Sequence, residues 1–121
     1  MNGVFLDLVL CKLIYVLSIV ADVPQRFSQL AVSAGVRGIA QLGNEIYVST
    51  DSSTSIAVFV FNDGQQNFTE RKAISFHQLK SAPRDIAASA QFQQLLVADL
   101  DAQCVWQAQR SLEGHWIVEG L

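Results

Sequence analysis

One stretch of this chain occurs twice, and that repetition limits the folds open to it more than any other feature. Residues 36–51 read VRGIAQLGNEIYVSTD, and residues 83–99 read PRDIAASAQFQQLLVAD. Arg37 matches Arg84, Ile39 matches Ile86, and Ala40 matches Ala87. Two added residues in the second copy bring Ile46-Tyr47-Val48 onto Leu95-Leu96-Val97, and one fewer after them brings Asp51 onto Asp99. No gap is needed after that: Ile56-Ala57-Val58 falls on Cys104-Val105-Trp106, and Phe68 falls on Trp116. A period of about 47–48 residues marks a unit that cannot bury its own apolar surface and must stack on its neighbours.

Within each copy, short apolar runs are bounded by turn residues. The breaks fall at Gly43-Asn44, 51–55 and 62–64 in the first copy, and at 91–94, 99–103 and 111–114 in the second. Four strands per copy follow, near 37–42, 45–50, 55–61 and 67–75, then near 84–90, 94–98, 103–109 and 115–119. The run IAVFVF at 56–61 does not alternate, which predicts a strand covered on both faces and the most buried strand of the chain. Val, Ile and Phe crowd it and Asp-Gly follows it, so a helix is disfavoured. The strands of a propeller blade, sandwiched between two other blades, meet that condition.

The patterns R-G-I-A, G-N-E-I-Y-V-S-T-D and I-A-V-F resemble an NHL-type propeller repeat. The second copy, with P-R-D-I-A, L-L-V-A-D and C-V-W, resembles the same family and its six-bladed YWTD-like relatives. The resemblance covers residues 36–119. Both copies depart from the NHL pattern after the Asp, where the family carries Asn and Arg; here 52–55 and 100–103 stand instead. The implied fold is all-β: an incomplete β-propeller of about two four-stranded antiparallel blades, 36–75 and 83–120. A lead-in at 22–35 and a hydrophobic segment at 1–21 precede them, and no third copy stands upstream at the same period. Two blades are too few to close a propeller, so the chain is expected to be a fragment of a larger one or to self-associate.

Residues 4–21 read VFLDLVLCKLIYVLSIVA, with charges at Asp7 and Lys12. The apolar run 13–21 has the length of a signal-peptide core, but no basic residue precedes it at 1–3. A secretory signal, a hydrophobic strand or helix, and a membrane anchor all stay open. Asn67-Phe68-Thr69 is a glycosylation sequon, which together with that stretch points to an extracellular location, with a cytoplasmic one as the alternative. Two cysteines among 121 residues make no disulfide framework, and Cys104 reads as a small buried hydrophobe. Eight scattered Lys and Arg against eleven Asp and Glu give a net charge of −3, which argues against a nucleic-acid surface.

Few residues suggest chemistry. Asp51 and Asp99 recur at the end of the second strand, where a carboxylate either organises the following turn or faces a central channel as a metal ligand. Calcium takes six to eight oxygens, so these two are weak candidates and no cofactor is expected otherwise. Arg37 and Arg84 recur at the start of the first strand, as structural partners of a neighbouring blade or as an anion site. His77 and His115 have no partner at metal-ligand spacing. The sequence contains no nucleophile elbow and no phosphate-binding glycine loop. The expected function is therefore a non-catalytic binding module with a protein or other ligand on its loop face. The alternative that the resemblance implies is a relative of a metal-dependent, lactonase-like propeller hydrolase.

Overall fold

Eleven strands, no helix and three separate antiparallel sheets make up the described part of the chain. The computed structural model describes residues 3–7, 13–20, 23–32, 35–62, 64–65, 67–76, 79 and 82–120, with backbone pairing alone for 3–31. The first sheet is β1 (Gly3–Asp7), β2 (Leu13–Val20) and β3 (Val23–Ala31). The second is β4 (Val36–Leu42), β5 (Glu45–Thr50), β6 (Ser55–Asn62) and β7 (Asn67–Ser75). The third is β8 (Asp85–Ser89), β9 (Gln94–Asp99), β10 (Cys104–Arg110) and β11 (Trp116–Gly120). Within every sheet, strands adjacent in sequence are adjacent in space. The two four-stranded sheets coincide with the two sequence copies and are called blade 1 and blade 2 below.

The blades stack through their first strands. β1 approaches β4, and β4 approaches β8. Gly38 shows how close the second approach is: a Cβ built there would lie 2.9 Å from both Asp85 Oδ1 and Ser49 Oγ and 3.1 Å from the Ile86 nitrogen. In the second copy the same position is Asp85 itself. Its carboxylate accepts the Ile86 N–H at 2.8 Å and sits over the bare Gly38 backbone.

Register sorts the side chains of blade 1 into two faces. The pairs Ala40↔Tyr47, Tyr47↔Val58 and Ile56↔Ile74 put those residues on the face toward blade 2. There they pack with Ile86, Leu95, Val97 and Ala108. Val36, Ile46, Val48 and Phe59 pack together on the opposite face, the side on which the first sheet lies. The strand buried on both faces is β5, where Ile46, Tyr47, Val48 and Ser49 are all fully buried. This corrects the expectation that 56–61 is the most buried strand. β6 keeps Ile56, Val58, Phe59 and Phe61 inside, but Ala57 and Val60 are half-buried. The reason is position: β5 lies one strand from the closely stacked inner edge, whereas β6 borders the exposed outer strand β7.

Residues 3–31 hold three paired strands where the sequence shows no third copy. β2 pairs with β1 over Gly3↔Ser18 to Asp7↔Ile14 and with β3 over Leu13↔Ala31 to Val20↔Val23. No helix long and apolar enough to cross a membrane occurs among the described residues.

Candidate functional site

The side chains that join the blades at their outer half form a cluster of charged, phenolic and indole groups. β5 carries Glu45 and Tyr47 on its blade 2 face, and β10 ends at Arg110. Pairing of Arg110 with Trp116 across β10–β11 brings the indole alongside. The Arg110 guanidinium forms an ion pair with Glu45 (Nη2 to Oε1, 2.8 Å), donates to the Tyr47 hydroxyl, and lies 4.7 Å from the centroid of the Trp116 ring. The Tyr47 and Trp116 rings meet edge to face at 5.7 Å. Burial raises the pKa of the Tyr47 phenol well above the ordinary tyrosine value, and the Glu45 carboxylate adds to that, while Arg110 partly offsets it. Arg110 Nε is buried without a hydrogen-bond partner. The cluster links two elements 63 residues apart in sequence.

Outside this cluster the blades diverge and leave a cleft of about 790 Å³. Val58, Val60 and Ile74 form its apolar part. Glu45, Arg71 and Lys72 line it from blade 1, and His115 of the β10–β11 loop and Trp116 of β11 line it from blade 2. Arg71 and Lys72 are exposed on β7 and pair with no carboxylate among the described residues. The arrangement suits an anionic or polar ligand held by contacts and charge.

The two repeated carboxylates differ. Asp99 is buried, with Oδ1 accepting the Ala102 N–H and Oδ2 accepting the Trp106 Nε1–H, both at 3.2 Å. It thus holds the β9–β10 turn, where Gln103 adopts φ 53. Asp51 is exposed; its N–H donates to the Gly35 carbonyl, and its carboxylate lies where a Cβ on residue 35 would be. Each Asp99 oxygen thus accepts one of the roughly two bonds its lone pairs allow. Among the described residues no three His, Cys, Asp or Glu side chains gather.

Arg37 is half-buried and Arg84 exposed, and among the described residues neither forms an ion pair. Asn67 is exposed, and its side-chain oxygen accepts from Asn62 Nδ2 at 3.0 Å. His115 is exposed, 4.0 Å from Glu113. His77 and Cys11 lie outside the described residues. Cys104, expected to be buried, opens β10 half-buried. The Arg110 cluster was missed because its members have no counterparts between copies: Tyr47 falls on Leu96, and Arg110 is one of the scattered cations.

No protein-family model and no curated protein matches the chain. Solved structures do. A proposed 6-phosphogluconolactonase from Bacteroides fragilis superposes with a TM-score of 0.74 at 15% identity, over 99% of this chain and 35% of its own. A similar protein from Bacteroides uniformis, also a proposed 6-phosphogluconolactonase, gives 0.74 at 16% identity, over 98% and 36%. A protein from Lactobacillus plantarum gives 0.71 at 15% identity, over 91% and 35%. The fold is an incomplete β-propeller. The chain spans about a third of the length of the structures it matches.

Proposed function

We propose that this chain is a non-catalytic binding scaffold, with the cleft between blades 1 and 2 as its ligand-facing surface. The observation that carries this reading is the state of Asp99: both carboxylate oxygens of the better-placed repeated acid are engaged by its own turn and by Trp106. What the cleft offers is charge and contact: Arg71, Lys72 and His115 around an apolar floor. Membership of the NHL-type or YWTD-like families in particular rests on the R-G-I-A and I-Y-V-S-T-D motifs alone.

A lactonase-like hydrolase is the second reading, favoured by the likeness to the two Bacteroides proteins. Calcium titration of the full chain, followed by thermal unfolding, separates the two. A ligand that binds the native state raises the melting temperature by mass action. The scaffold reading expects no shift with calcium and no acceleration of 6-phosphogluconolactone hydrolysis over buffer. A calcium-dependent rise accompanied by hydrolysis would replace it with the second reading.

A further inference from the structure

We infer that the cleft between blades 1 and 2 takes organic anions with an apolar body, the anionic head held by Arg71 and Lys72 and the body lying on Val58, Val60 and Ile74. The inference rests on the scaffold reading and adds the chemical class of the ligand.

A break in strand pairing builds the site. Side chains three residues apart on a regular strand point to opposite faces, so a regular β7 would put Arg71 and Ile74 on opposite sides of the sheet. β7 is not regular there. Ile56 pairs with Ile74 and Val58 with Arg71, which leaves Lys72 and Ala73 opposite Ala57 alone. That is a β-bulge, a device that re-aims side chains. Ile56 and Val58 belong to the face packed toward blade 2, and the bulge puts both Ile74 and Arg71 on that face with them. A guanidinium therefore stands beside an apolar floor, and Lys72 lines the same wall.

Charge sets the sign of the ligand. Glu45 also lines the cleft, but its carboxylate is already paired with Arg110 at 2.8 Å. Arg71 and Lys72 are exposed and pair with no carboxylate among the described residues. His115 lies 4.0 Å from Glu113 and adds charge only when protonated. Two uncompensated cations thus share one cleft of a chain whose net charge is −3. The local field draws in anions that the rest of the surface repels.

Charge alone leaves most of the cleft unused. Its volume of about 790 Å³ lies within the range of about 300–1,000 Å³ typical of small-molecule sites. A bare inorganic anion would leave Val58, Val60 and Ile74 in water, and a neutral apolar molecule would leave both cations without a partner. An acyl or aryl body ending in a carboxylate, phosphate or sulfonate answers both demands, by burying apolar area and by accepting charge-assisted hydrogen bonds.

The test is calorimetric titration of the full chain with octanoate. Acetate serves as the head without the body, and octylammonium as the body with the wrong charge. Octanoate is expected to bind with a Kd of about 1 mM or tighter, and acetate and octylammonium at least tenfold more weakly. Replacing both cations, Arg71→Gln with Lys72→Gln, is expected to weaken octanoate about tenfold, and Val60→Thr about threefold. Near-ultraviolet circular dichroism of Trp106 and Trp116 checks that each variant keeps its fold. No saturable uptake of octanoate, equal affinity for octylammonium, or binding indifferent to a folded double variant would each overturn the inference. If the double variant loses its tryptophan signal, Arg71→Gln alone takes its place, with the same outcomes. Failure of the scaffold reading shows instead as calcium-dependent hydrolysis, which none of these titrations measures.

Discussion

Blades 1 and 2 have the same strand order and second and third strands of nearly the same length, yet they solve different problems. Blade 1 is covered on both faces, and its second strand is buried from Ile46 to Thr50. Blade 2 is covered on one face, and its second strand alternates, with Leu95, Val97 and Asp99 buried and Leu96 exposed. Their turns differ too. Blade 1 joins β4 to β5 through Gly43-Asn44 with Gly43 at φ 61, the positive φ that tight hairpin turns favour. Blade 2 uses residues 90–93 and places Gln93 at φ 52, a conformation that costs a non-glycine residue about 1 kcal/mol. The lesson is that a repeated sequence fixes the strand plan, while burial is fixed by the neighbour each copy has.

The largest expected effect sets the two faces against each other. By strand pairing, one residue away from the sequence alignment of Val58 with Trp106, Val58 and Gln107 hold corresponding places, cross-strand from Tyr47 and Leu96. Val58→Asp puts an unpaired charge into the inter-blade core and is expected to cost about 3–5 kcal/mol, whereas Gln107→Asp is expected to change stability by about 0.5 kcal/mol or less. Urea melts of both variants check this, and equal losses would erase the distinction between the faces. Next comes Gly38→Ala. The new methyl meets Asp85, Ser49 and the Ile86 backbone, and overpacking of this kind costs about 1–3 kcal/mol. Gly64→Ala, with open space around it, is expected to cost less than Gly38→Ala by thermal melting.

A smaller effect tests the outer link. Arg110→Ala removes the ion pair with Glu45 and the stacking on Trp116, and a loss of about 1–2 kcal/mol is expected, since the pair is partly open to solvent. A double-mutant cycle with Glu45→Gln checks that the two residues couple. The smallest effect is on pH. Tyr47 holds its proton more tightly folded than unfolded, so its contribution is complete below the ordinary tyrosine value of 10.0 and is lost as pH rises beyond it. The melting temperature is expected to fall above pH 10, less steeply in Tyr47→Phe than in the parent.

Most of the strand plan was legible in the sequence because it depends on local chemistry. Gly43-Asn44 and the clusters at 51–55 and 99–103 end strands wherever the chain folds. The continuous run at 56–61 gave away a sandwiched sheet, but not that β5 would be the more deeply buried strand, since relative burial depends on distance from the inner edge. The strands at 3–31 were hidden because β2 has neither the R-x-I-A opening nor the closing Asp of the two copies. The Arg110 cluster was illegible for another reason: its partners come from different blades, and no spacing in one copy encodes a contact made with the next. Asp99 was visible as a repeated acid, while its second bond, to Trp106, needed the β9–β10 register.

Within each described sheet, every strand bonds to its neighbour in the chain. That plan has a kinetic consequence. Hairpins closed over short turns form in about 1–10 μs, so each sheet can assemble locally without waiting for distant sequence. The slow event is then the docking of one finished sheet on another, and Arg110 meeting Glu45 marks its completion, because that pair exists only once the last hairpin has reached back to the second strand of the preceding blade. Refolding followed by tryptophan fluorescence should therefore lag behind the recovery of strand signal in the far ultraviolet, with Trp116 reporting the delay.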